Sequence, residues 1–145
     1  MPILIEFAVM RDVPPDAPTL QALRHALSGF PGIELAIVFG SVAKGCARFD
    51  SDLDIAVQSA TPLTADNRLA LIEAFALASG RAVDLIDLRV AGEPLRGQIL
   101  RHGLRLEGSD TALASLMMRH VCDNEDFMPY VNRLHRERQQ RWMTN

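Results

Sequence analysis

Apolar and polar positions along this chain recur at two different periods, and each change of period marks a new element. Leu20, Leu23 and Leu27 fall at i, i+3 and i+7 after Pro18 and Thr19, which predicts a helix that Gly29 ends. After the Phe30-Pro31-Gly32 turn, Leu35 to Phe39 is almost wholly apolar between Gly32 and Gly40, the pattern of a central strand covered on both faces. A polar loop containing Gly40 and Ser41 follows. From Asp52 to Val57 the period is two, placing Asp52, Asp54 and Ala56 on one face and Leu53, Ile55 and Val57 on the other. Pro62 to Asn67 carries helix start signals, Leu69, Ile72, Phe75 and Ala76 form a stripe, and Gly80 closes it. Ala82 to Leu88 predicts a third strand, with Val83 and Leu85 alternating against Asp84 and Ile86. Gly92 to His102 reads as a short helix and Leu104 to Glu107 as a brief strand. Ser109-Asp110 can cap a last long helix whose apolar side is Leu113, Leu116, Met117, His120 and Val121. Pro129 is expected to break or kink it, with a basic helix or frayed end beyond. Before all of these, Ile3 to Met10 reads as an edge strand and Arg11 to Pro18, with its three prolines, as a connector.

These elements predict an α/β (α+β) fold: a small mixed sheet of three to five strands flanked by helices, with C-terminal helices. A single domain is expected, its core over about 19–108 and a helical segment over about 109–145. A chain of 145 residues can bury a core without disulfides. The composition, 48% hydrophobic and 23% charged, is that of an ordinary soluble globular protein. The N-terminus lacks a basic n-region and carries Glu6 in its apolar part, and no apolar run approaches the ~18 residues needed to span a bilayer. Cys46 and Cys122 form no metal-binding pair and read as free thiols in a reducing compartment. The expectation is a cytoplasmic protein without a membrane partner. A net charge of -3 gives no general drive toward nucleic acid, so no direct nucleic-acid binding is expected. That charge is uneven. Phe127 to Asn145 holds four arginines against Glu137, or +3, while the preceding residues carry 11 basic and 17 acidic groups, or -6. A basic tail on an acidic body suits a partner-binding surface or an ordinary solvated helix face equally.

Two carboxylates within an apolar strand are costly to bury unless something cationic joins them. Side chains two apart on a strand share a face at roughly 6.5–7 Å between Cα atoms, so Asp52 and Asp54 can converge on a hard divalent cation. A third acid would complete a two-metal site with ions roughly 3.5–4 Å apart. Asp84 and Asp87 are the candidates, and because they are three apart on one strand only one can face the site. Asp84, in mid-strand, is favoured over Asp87 at the strand end. Gly40 lets the backbone approach a ligand closely, and free N–H groups after it, with the Ser41 hydroxyl, suit a phosphate. Lys44 and Arg48 in the same loop could neutralise further phosphate charge. Each feature alone has an ordinary explanation: a turn, a solvated acid, a surface lysine. Their joint occurrence is what points to a divalent metal such as Mg²⁺ facing a phosphate group.

Gly40-Ser41, ten residues, then Asp52-x-Asp54 resembles the signature of the nucleotidyltransferase superfamily that includes DNA polymerase beta. The short length, the GSVAKG start, SDLDIAV and the later VDLIDL are most similar to the minimal nucleotidyltransferases (MNT) of bacteria and archaea. Among these are antitoxins encoded beside an all-helical HEPN toxin. The likeness is strong over about Leu35 to Leu88 and weaker through the C-terminal helices. It implies that Gly40 and Ser41 hold the triphosphate of ATP, and that Asp52 and Asp54 bind two Mg²⁺. Asp84 would be the third carboxylate, ligating one ion and helping to deprotonate the attacking hydroxyl. The implied reaction moves AMP to a tyrosine hydroxyl of a cognate HEPN RNase toxin and silences it. Two other functions fit the same chain: an antitoxin that acts by binding alone, and nucleotidyl transfer to a small molecule, although the chain lacks room for an added substrate domain. Arg96 to His102 has the spacing of the HEPN RNase motif, but in an α/β chain it reads as chance.

Overall fold

In a computed structural model the chain is described for residues 10–12 and 17–143, without the side chains of 124–132. The elements run β1 (Arg11–Asp12), α1 (Pro18–Leu27), β2 (Ile33–Phe39), α2 (Gly40–Lys44), β3 (Leu53–Ser59), α3 (Ala65–Ser79), β4 (Val83–Asp87), α4 (Leu95–His102), β5 (Leu104–Gly108) and α5 (Asp110–Met143). The strands form one mixed sheet in the order β1-β5-β2-β3-β4. β1 runs parallel to β5 and β3 parallel to β4, whereas β2 is antiparallel to both its neighbours.

Sequence period decides which side of this sheet each residue joins. Leu53, Ile55, Val57 and Leu85 pack with Leu20, Leu23 and Leu27 of α1 and Leu71 and Phe75 of α3 on one face. Leu35, Ile37 and Ala56 pack on the other, against Ile99 and Leu100 of α4 and Leu113 and Leu116 of α5. Leu35 through Val38 are fully buried, as a strand covered on both faces must be. Thr64 caps α3 by accepting from the Asn67 N–H at 3.1 Å, and Gly80 ends it in the left-handed conformation. Burial against α3 falls on Leu71 and Phe75, with Ile72 and Ala76 partly covered; Leu69, placed on the buried stripe by sequence, is exposed.

Two further expectations change, and one falls outside the described residues. The predicted strand over Ile3 to Met10 lies, but for Met10, outside the described residues. The connector begins instead with a two-residue strand: Arg11 and Asp12 pair with Leu104 and Arg105, and the Arg105 guanidinium donates to the Asp12 carboxylate at 2.7 Å. Two ladder positions and one ion pair outweigh the turn preference of the prolines that follow. Pro129 does not break the last helix, which continues to Met143. A proline removes one intrahelical hydrogen bond, a local loss that the turns on both sides of it survive. The basic stretch 133–143 is therefore helical, and its side chains are exposed.

Candidate active site

The parallel pairing of β3 and β4 aligns Asp54 directly with Asp84. Adjacent strands lie about 4.8 Å apart, so two carboxylates leave the same face of neighbouring strands side by side. Asp52 stands one residue before β3 at the same end of the sheet. Burial, then the negative charges of Asp84 and Asp52, hold the Asp54 carboxyl above its ordinary range. Among the described residues no cation or hydrogen-bond donor reaches the side chain of any of these three acids. Asp87 is elsewhere. It pairs with Val57 on the α1/α3 face, at the far end of β4, where its carboxylate accepts from the Arg89 N–H at 2.9 Å.

The opposite wall comes from the end of β2. Phe39 is the cross-strand partner of Asp54, and the chain turns at once into α2, with Gly40 at φ +72°. A methyl group on Gly40 would collide with Asp54 Oδ2 and lie 3.1 Å from its Cγ. Only glycine allows both the left-handed backbone and this approach to the carboxylate. Ser41 follows in the first turn of α2, its carbonyl accepting from the Cys46 N–H at 3.1 Å and its hydroxyl unpaired among the described residues. Lys44 and Arg48 are exposed, and neither side chain forms an ion pair among the described residues. Cys46 and Cys122 are free and exposed.

One residue that sequence reasoning missed fixes the loop between the two walls. Arg81, just beyond α3, donates through one guanidinium nitrogen to the carbonyls of Arg48 at 2.5 Å and Ser51 at 2.9 Å. The turn it holds is closed by Ser51 N–H to the Arg48 carbonyl and Arg48 N–H to Ser51 Oγ. Asp52 leaves this turn directly. An arginine beyond a helix-ending glycine gives no sign in sequence that it reaches back some thirty residues.

Among the described residues no three carboxylate, imidazole or thiol groups converge closely enough to hold a metal ion unaided. The donor chemistry nevertheless suits Mg²⁺, which takes only oxygen, keeps several waters and commonly binds one or two carboxylates together with substrate phosphates. Arg96 and His102 are not a pair: Arg96 is buried among ion pairs and His102 is exposed. No helix among the described residues is long and apolar enough to cross a membrane.

Residues 21–112 match the family described as polymerase beta nucleotidyltransferase. Over 79 residues the chain is 38% identical to the protein adenylyltransferase MntA of Shewanella oneidensis, a match covering 54% of this chain and 57% of that protein. The matched region thus spans little more than half the length of that relative. Among solved structures, a toxin–antitoxin complex with AMP-PNP contains a chain that aligns with a TM-score of 0.64 and 26% identity, covering 80% of this chain and 98% of the other. The fold is also shared with a chain in the complex of tri-AMPylated Shewanella oneidensis HEPN toxin with MNT antitoxin, at a TM-score of 0.56 and 23% identity over 80% of this chain and 98% of that one.

Proposed function

The chain belongs to the polymerase beta nucleotidyltransferase family, and from that premise we propose that it is an antitoxin that transfers AMP from ATP to a tyrosine hydroxyl of a HEPN-family RNase toxin. The observation that carries the reading is the unpaired Asp54–Asp84 couple facing Gly40 across a sheet end. The name of the 38% identical relative supports protein adenylylation, and the AMP-PNP complex supports ATP as the nucleotide.

In this reading Gly40 and Ser41 receive the triphosphate, the glycine by close backbone approach and the serine by its free hydroxyl. Lys44 and Arg48 screen its outer charge. Asp52, Asp54 and Asp84 would hold two Mg²⁺, which supply neutralisation of phosphate charge and alignment of the leaving group. The acceptor oxygen attacks the α-phosphorus, the new P–O bond forming as the bond to pyrophosphate breaks. An Asp84 carboxylate oxygen receives the hydroxyl proton. Positioning of the reactants accounts for most of the acceleration.

The test combines the purified chain, ATP labelled at the α-phosphate, Mg²⁺ and the product of the neighbouring gene. Label should appear on a tyrosine of that partner and vanish with Asp52→Ala plus Asp54→Ala. An unlabelled partner, or labelling that survives the double substitution, overturns the reading. Metal binding has its own readout: Mg²⁺ should raise the Tm of the chain and leave Asp54→Asn unmoved.

A further inference from the structure

Phe49 is almost wholly solvated, at 93% exposure. A benzyl side chain in that position gives up the stabilisation its burial would contribute. Its backbone is held firmly. Phe49 is the second residue of the turn Arg48–Ser51, closed by two internal hydrogen bonds and clamped from outside by Arg81 through both the Arg48 and Ser51 carbonyls. The turn lies between α2, which carries the candidate phosphate cradle, and Asp52, three residues on from Phe49. A rigid turn thus presents a protruding ring beside the reacting groups.

We propose that Phe49 is the docking anchor for the protein acceptor: it enters an apolar recess on the partner and brings the acceptor hydroxyl to Asp84. This rests on the transfer reading above and names the residue that secures its macromolecular substrate. The alternative occupant, the nucleotide base, fits less well. A ring exposed on both faces makes no wall of a pocket, whereas nucleotide sites are concave and enclose most of the ligand. Projecting aromatics that fill a partner's pocket are the residues on which protein interfaces concentrate their affinity. The turn's preorganisation lowers the ordering cost of such a contact.

The proposal separates acceptor binding from nucleotide binding. With the neighbouring gene's product as acceptor, Phe49→Ala should raise the acceptor KM about tenfold, the effect of losing about 1.4 kcal/mol, with kcat within twofold. Its affinity for Mg²⁺·AMP-PNP should match the unsubstituted chain. Phe49→Leu, which keeps an apolar tip, should recover part of the loss, and Phe49→Asp should be worse than alanine. An unchanged acceptor KM overturns the proposal. A matching fall in AMP-PNP affinity overturns it too, assigning the ring to the nucleotide. If the unsubstituted chain labels nothing, the transfer reading fails by itself. Sedimentation of the chain with its partner then still decides, since Phe49→Ala must weaken the complex about tenfold or the anchor is refuted.

Discussion

Two groups of acidic residues on this molecule have opposite surroundings. Glu93 and Asp123 meet Arg96, which is 5% exposed and also donates to the Ala91 carbonyl at 2.7 Å. Glu93 accepts in addition from His120 Nδ1–H at 2.6 Å and from the Gly97 N–H at 3.2 Å. Asp12 and Asp110 share Arg105 at 2.7 and 2.6 Å. At the start of β3 and β4, by contrast, Asp52, Asp54 and Asp84 face one another with no cation among the described residues. The chain does not lack arginine for the purpose. Arg81 passes close by and spends its guanidinium on the carbonyls of the loop that delivers Asp52. Where charge only has to hold elements together, the fold pairs it; the proposal that Asp52, Asp54 and Asp84 hold a cation rests on their being left unpaired at one end of the sheet.

The widest test of that difference neutralises each group in turn. Replacing both Asp52 and Asp54 with alanine should lower AMP transfer about a thousandfold or more, the scale of losing preorganised charge at a reacting centre. Urea denaturation should show no comparable loss of stability. Arg96→Ala should do the reverse. It removes the buried guanidinium that joins Glu93 to Asp123 of α5, leaving Glu93 without its cation, so stability should fall by about 3 kcal/mol. The rate of transfer should be retained while the chain is folded. If Arg96→Ala instead spared stability, the paired group would not be the structural one.

How far the sequence discloses each group follows from the range of its interactions. Strand parity put Asp54 with Ala56 and left room for only one of Asp84 and Asp87; mid-strand position favoured Asp84, and the parallel register sets it beside Asp54. The apolar run Leu35 to Phe39 likewise announced its own burial on both sides, complete through Val38 and partial at Phe39. Local signals sufficed there because period two leaves no choice of face. Arg81, Arg96 and Arg105 were invisible because each, besides any near partners, binds a residue remote in the chain, Arg105 reaching Asp12 some ninety positions away. Leu69 was misplaced because a stripe counted from the helix start ignores which turn the neighbouring helix covers. The two-residue strand β1 carries too few positions to show a period.

A smaller change probes the contact between the two walls of the site. Gly40→Ala forces a side chain into the left-handed region, at a cost of about 1–2 kcal/mol. The added methyl also meets Asp54 Oδ2 and must push that carboxylate aside. Displacement of a reacting group by about 1 Å costs on the order of a hundredfold in rate. Denaturation and steady-state transfer assays should therefore both register the substitution, with the rate suffering beyond what loss of folded protein explains. A rate loss that tracked stability alone would mean that Asp54 does not depend on the glycine.

The gentlest comparison sets two isosteric substitutions against pH. The Asp54 carboxyl titrates above its unfolded value of 3.8 because burial and its acidic neighbours disfavour the anion. As pH rises through 3.8 the unfolded chain ionises there first, so stability present at low pH is lost up to the folded pKa and stays lost above it. Asp54→Asn removes that penalty. In chelator-treated buffer its Tm should exceed that of the unsubstituted chain at pH 7, and the two should coincide below pH 3.8. Asp12 has the opposite sign, since hydrogen bonding to Arg105 holds its carboxyl below 3.8. Its contribution is present above 3.8 and disappears as pH falls through the lower folded value. Asp12→Asn should therefore lower Tm at pH 7 and lose its effect in strong acid. Thermal melts of the two variants across this range should diverge in opposite directions, and shifts of the same sign at pH 7 would show that the two acids do not differ in kind.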